Sequence, residues 1–316
     1  MFVVRGLAVS VSVFAMVYVS LSVAVCCAWR SVWFRGQEHS LRRAADLLFL
    51  TRGLPLLAAI MITAFFVVPS FLLLEPRVTD EPFGIGTSLL AFAGVGVASY
   101  GALNAILALK MASRSIAQWL RQSHVAGSIG AVPLFRTAAA VPGLTVAGIL
   151  RPRVLVSQAV ESILTTRELQ TALRHELAHV QRRDNLKKLV LRVMVFPGMA
   201  ELESAWLHAA EMAADDAAVS SPDEALDLAS ALIKLSRLPH AVPTGVLTTA
   251  LAYGPAASVN ARVERLIAWN RHHPAPAPRY SRWYPLCALL GTAAGLAVTY
   301  ADLLQRVHTL TEWMVR

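Results

Sequence analysis

Four apolar stretches, residues 6–28, 54–74, 85–109 and 284–301, dictate what this chain can become. A helix needs about 20 apolar residues to cross the hydrocarbon core, where backbone polar groups must satisfy one another. The first three stretches meet that length, and the fourth is the shortest. Composition agrees: 56% of the 316 residues are hydrophobic and 16% charged, against about 45–50% and about 25% in an average soluble domain. Residues 110–283 have the length of an ordinary domain with its own core. The expected organisation is therefore three transmembrane helices in 1–109, a folded domain in 110–283, and a fourth transmembrane helix with a short external tail in 284–316. The first stretch is longer than the roughly 7–15 apolar residues of a signal peptide, so it is read as a span.

The net charge of +9 does not predict direct nucleic-acid binding, because the arginines flank the apolar segments instead of striping one element. Arg30, Arg35, Arg42, Arg43 and Arg52 fill the first connection, whereas the second holds Glu75, Asp80 and Glu81 against Arg77. Lys110, Arg114 and Arg121 follow the third segment, and Arg271, Arg279 and Arg282 precede the fourth. The positive-inside rule then places the first connection and the large domain in the cytoplasm, with both termini outside the inner membrane. Trp29, Trp33, Trp269 and Trp283 border the apolar segments as an interfacial belt in the lipid bilayer would. Cys26, Cys27 and Cys287 all lie in membrane segments, which leaves the large domain no disulfide framework and no thiolate metal site.

Within that domain, the runs 131–135 and 144–150 and the triplet Val154, Leu155, Val156 predict a small antiparallel sheet. Thr165 with Glu168 forms a capping box, followed by Leu169, Leu173, Leu177 and Val180 at helical spacing. Further helices are expected from Pro197-Gly198 to about Val219, from the Ser221 cap to about Pro239 with Pro222 in its first turn, and over 259–269. A stiff linker, "RHHPAPAPR", follows, whose His272 and His273 have nothing to hold them in ligand geometry. Residues 189–207 are apolar but interrupted by Arg192, Pro197, Glu201 and Glu203, which favours a buried helix over a span.

His175-Glu176-Leu177-Ala178-His179 reads as H-E-x-x-H. Residues four apart share a helix face, so both imidazoles can reach one Zn²⁺, and Glu176, one step round, is placed to act as general base. A catalytic zinc site commonly takes two histidines and one glutamate; Glu211, on the next helix within the nearly uncharged "HAAEMAADDAAV", completes that set. Asp215 shares the face of Glu211 at i,i+4 and is the candidate to orient a zinc histidine; His208 lies nearly one turn before it. Asp184 is read as a stop to the first helix.

"RHELAHVQRRDN", "HAAEMAADDAAV" and "VNARVERLIAW", set after three apolar segments and before a fourth, resemble the BlaR/MecR-type membrane metallopeptidases, zinc proteases of the gluzincin group. The similarity covers nearly the whole chain and is most specific from Thr165 to Val219. It implies an α-helical membrane protein with an α+β zincin-like metallopeptidase domain, cytoplasmic as the arginines indicate. It also implies His175, His179 and Glu211 as zinc ligands, Glu176 as base and Asp215 behind them, and it hints at more for Asp184 than a helix stop. Family members that sense β-lactams continue into an external penicillin-binding domain; here about fifteen residues follow the fourth segment, and no S-x-x-K serine is present to be acylated. The expected signal therefore comes through the membrane segments, the short loops or a partner.

The expected activity is that of an antirepressor-type endopeptidase that cleaves a cytoplasmic protein, such as a winged-helix repressor, or its own chain. A constitutive quality-control protease and a non-enzymatic signalling scaffold are the alternatives. Against the scaffold stands Glu176, which metal binding alone does not require. The oxyanion calls for a further donor or cation, for which Arg262 and Arg265 rank above His208 because the resemblance favours a late arginine. Substrate is expected to add as a strand at the sheet edge near residues 144–147. The oligomeric state is open.

Overall fold

The computed structural model describes residues 2–36, 40–76, 84–137, 143–238, 247–250, 256–269 and 299–313. Most of the fourth apolar segment, the proline linker with His272 and His273, Trp283, and the acidic residues Asp80 and Glu81 lie outside the described residues. Among the described residues, three helical stretches, Phe2–Ser31, Leu41–Leu74 and Ile85–Arg121, are long and apolar enough to cross a membrane. They correspond to α1 (Phe2–Gly36), to α2 (Leu41–Ile62) and α3 (Val68–Leu74) joined by a π-helical turn over Thr63–Val67, and to α4 (Ile85–Arg121). A helix over residues 299–313 lies beside them, with Val307 packed on Val9, Val13 and Val67 and the Tyr300 hydroxyl donating to the Phe65 carbonyl at 2.6 Å. One expectation fails here: Arg52 is not in the first connection but inside α2, 2% exposed.

The sheet comprises β1 (Ser123–Ile129), β2 (Val132–Thr137), β3 (Leu144–Ala147), β4 (Arg153–Ser157) and β5 (Thr248–Ala250), in the order β1-β2-β4-β3-β5. Two further expectations are corrected by it. The sheet is mixed, because β4 inserts between β2 and β3 and so runs parallel to β2. Nor is β3 an edge: β5 pairs with it antiparallel, Thr145 opposite Ala250 and Ala147 opposite Thr248. Residues 145–147 are thus already paired on both sides, and a strand-adding substrate has no free edge there. Leu247, fully buried against Ala108 and Ala112 of α4, holds the start of β5 in place.

The remaining helices are α5 (Gln158–Ile163), α6 (Thr166–Gln181), α7 (Asp184–Val193), α8 (Ala200–Ala218), α9 (Pro222–Ser236) and α10 (Ala256–Ile267). Strand alternation sends Val146, Val154 and Val156 toward α6 and α9, and Ala147 and Leu155 toward Trp119 at the end of α4. Buried along β3 and β4, the sheet forms a fixed wall behind α6.

The start of α6 is locked by the expected capping box, with Thr165 Oγ1 accepting from the Glu168 amide and Glu168 Oε2 accepting from the Thr165 amide at 2.7 Å. Lys234 and Ser230 of α9 also donate to Glu168, tying the two helices together. Burial alone would raise this carboxyl, but those donors bring it down to about 2. A depressed acid stabilises the fold above its ordinary value and loses that contribution as pH falls toward the folded value. Thermal unfolding of the wild type should therefore weaken between pH about 5 and about 2, whereas Glu168→Gln should be less stable at pH 7 with a flatter profile across that window.

Residues 189–207 are not one helix. The chain breaks at Pro197-Gly198, where Gly198 takes φ 84°, and α7 and α8 form an elbow packed among α1, α2 and α4. Leu191, Met194, Met199, Leu202 and Trp206 bury against Val25, Trp29, Ala45 and Leu48. At Gly101 of α4 a Cβ would stand 2.3 Å from the Val193 carbonyl oxygen, so only glycine admits so close an approach.

Candidate metal centre

The amphipathic α6 buries one face on the sheet and α9, which takes His175, Glu176 and His179 out of solvent at 0%, 0% and 3% exposure. The two Nε2 atoms lie 3.1 Å apart, and each stands 3.5 Å from a different Glu211 oxygen. These three residues each offer one ligand atom to a common point. Ligands about 2.0–2.1 Å from a tetrahedral zinc are separated by about 3.4 Å, so the triangle suits such an ion.

Carboxylates set the orientation of both rings. His175 Nδ1 lies 3.0 Å from Asp215 Oδ1, and His179 Nδ1 lies 2.7 Å from Asp184 Oδ2. Each imidazole therefore turns its Nε2 toward Glu211, the arrangement by which second-sphere carboxylates fix a metal-binding tautomer. Asp184 thus does more than stop the helix. Arg183, in the left-handed region at φ 55°, ends α6, and Asp184 opens α7 pointing back at His179. Asn185 beside it donates to the carbonyls of Val146 and Gly148, fastening α7 to β3 next to a cleft lined by Ile149, Pro152 and His179.

Of the residues proposed for the oxyanion, Arg262 comes closest to the triangle. Its Nε and Nη2 donate to Asp215 at 2.8 and 2.7 Å, and Nη1 lies 3.0 Å from Glu211 Oε2. Arg265 instead pairs with Asp216. His208 has Ser258 Oγ 3.4 Å from its Nδ1; burial and the Arg262 charge lower its pKa, favouring the neutral ring.

The electrostatics show what the site lacks. Burial opposes ionisation of Glu211 and Asp215, but His179 and Arg262 for the first, and Arg262 for the second, hold both well below the usual carboxylate range. Burial likewise opposes charging the histidines, yet Asp215 and Glu211 raise His175, and Glu211 with Asp184 raises His179 to about 10. Asp184 is itself met by Arg182 at 3.6 Å, but Glu176, Glu211 and Asp215 outnumber Arg262 and the nearby Lys188, whose ammonium is pushed down by burial and supported by Glu211, Asp184 and Glu176. A buried excess of carboxylate facing two imidazoles fits a divalent cation. Lys188 escaped the sequence reading; its only signal is the i,i+4 spacing from Asp184 on α7.

Comparison with curated proteins gives no match. A family sequence model, described as BlaR1 peptidase M56, matches residues 104–266, more than half of the chain, and spans every side chain of the centre. The protein belongs to the BlaR1 peptidase M56 family of membrane metallopeptidases.

Proposed function

We propose that the protein is a zinc-dependent endopeptidase of signal-transducing antirepressor type, cleaving a cytoplasmic repressor or its own chain from the inner membrane. The observation that carries this reading is the closed triangle of His175, His179 and Glu211, with each ring held from behind by its own aspartate. Zinc bound there would lower the pKa of a water toward about 7 and polarise the scissile carbonyl.

Glu176, fully buried and adjacent in sequence to His175, takes a proton from the attacking water and delivers it to the leaving amine. Asp215 and Asp184 hold the imidazoles in register through both steps. Arg262 neutralises Asp215 and Glu211, which suits a counter-ion rather than an oxyanion donor. With Arg265 held by Asp216, His208, three residues before Glu211 on α8, is the favoured oxyanion partner.

The test uses full-length protein in lipid nanodiscs. It should hold one zinc per chain, cleave an added winged-helix repressor or its own chain, lose cleavage on chelation and regain it with zinc. Cleavage that persists after complete metal removal ends this reading.

A further inference from the structure

Both histidine-orienting carboxylates and the glutamate ligand come from α7 and α8, and the elbow joining those helices is held by membrane helices. Tyr18 of α1 donates its hydroxyl to the Val195 carbonyl at 2.8 Å. Arg52 of α2 donates to the Met194 carbonyl and reaches Glu203 Oε1 through Nε at 3.3 Å and Nη2 at 3.2 Å. Tyr18 and Arg52 are each 2% exposed, and the two face one another beside Ser22. Lower on the same elbow, Lys187 meets Asp46 of α2 at 2.9 Å and Arg30 of α1 meets Glu201 at 2.8 Å.

A buried arginine within an apolar span is costly unless paired, and such a residue marks a working part of a membrane protein. Here its partners are two points flanking one bend, the last residue before the elbow and the first turn of α8. From Glu203 the helix runs without glycine or proline to Glu211 and Asp215. At about 1.5 Å per residue those carboxylates stand about 12 and 18 Å along a continuous rod. A shift or rotation at its foot reaches the metal triangle with little loss.

We infer that Arg52 is a positioning residue for the metal centre: through Met194 and Glu203 it sets the seat of α8, and so couples the packing of α1 and α2 to the placement of Glu211 and Asp215. The inference rests on the metal reading above and names the route by which a membrane signal reaches the protease.

The test compares Arg52→Gln, Arg52→Lys, Glu203→Gln and Tyr18→Phe as full-length proteins in nanodiscs. Zinc affinity is read by chelator competition, cobalt coordination by visible absorption, and mobility by amide hydrogen exchange of the zinc-free protein. Arg52→Gln and Glu203→Gln should each weaken zinc binding about 10–100-fold, as loss of outer support typically does. Their double variant should be no worse than either, Arg52→Lys should recover part, and exchange should rise over residues 200–215 but not over α6. Zinc affinity within twofold of wild type in folded Arg52→Gln, with an unchanged cobalt spectrum, overturns the inference. If Arg52→Gln does not fold, Tyr18→Phe, which removes a single hydroxyl, decides on the same exchange measurement. Should the wild type itself bind no zinc, the metal reading fails, while the exchange comparison still decides the clamp.

Discussion

Glu176→Gln is expected to lower kcat for peptide cleavage by about 10²–10⁴-fold, the usual contribution of a positioned general base, while one zinc per chain stays bound. The separation of the two readouts follows from geometry. Glu176 lies outside the ligand triangle, which His175, His179 and Glu211 complete without it, so an isosteric amide removes the proton acceptor and leaves the ligands in place. Glutamine also keeps the volume of a side chain that is fully buried, so no cavity opens in α6. KM should change little, because proton transfer belongs to the transition state. Zinc stoichiometry measured beside single-turnover cleavage checks both halves. Activity near that of the wild type removes Glu176 from the mechanism.

What the sequence revealed about this site is what short-range geometry controls. The i,i+4 histidines share a face of α6 by helix periodicity alone, and Glu211 with Asp215 repeats that spacing on α8. Pro197-Gly198 and the Ser221 cap marked the helix starts near where they fall. The rest depends on how distant pieces meet. Asp184 reaches His179 only because Arg183 adopts a left-handed conformation, which an arginine does not announce. The β3 edge is closed by three residues, Thr248–Ala250, too short a run to carry a strand pattern, brought there by Leu247. Arg52 counted among the loop charges by position; its burial against Met194 and Glu203 is fixed by helix packing and not by any local pattern. Arg262 was found as a late arginine, but its hydrogen bonds to Asp215 decide the role that fits it.

Arg262→Met should destabilise the zinc-free protein by about 3–5 kcal/mol, the range for removing one member of a buried ion pair. Methionine approximates the stem, so little packing is lost, but Asp215 loses its main counter-charge and Glu211, which also faces His179, loses one of its two, both carboxylates lying at hydrogen-bond distance from the guanidinium. The same carboxylates would face a bound zinc through Glu211 directly and through His175, and that second positive charge offsets part of the loss. Zinc should thus raise the unfolding midpoint of Arg262→Met by more than it raises that of the wild type. Arg262→Lys should recover less than half of the stability, since one ammonium cannot match the two parallel bonds to Asp215 and also reach Glu211. Denaturant unfolding with and without zinc measures all three differences. Wild-type stability in zinc-free Arg262→Met would mean that the carboxylates find another cation, with Lys188 on α7 the nearest alternative in charge, and that α10 docks on α8 without governing the centre.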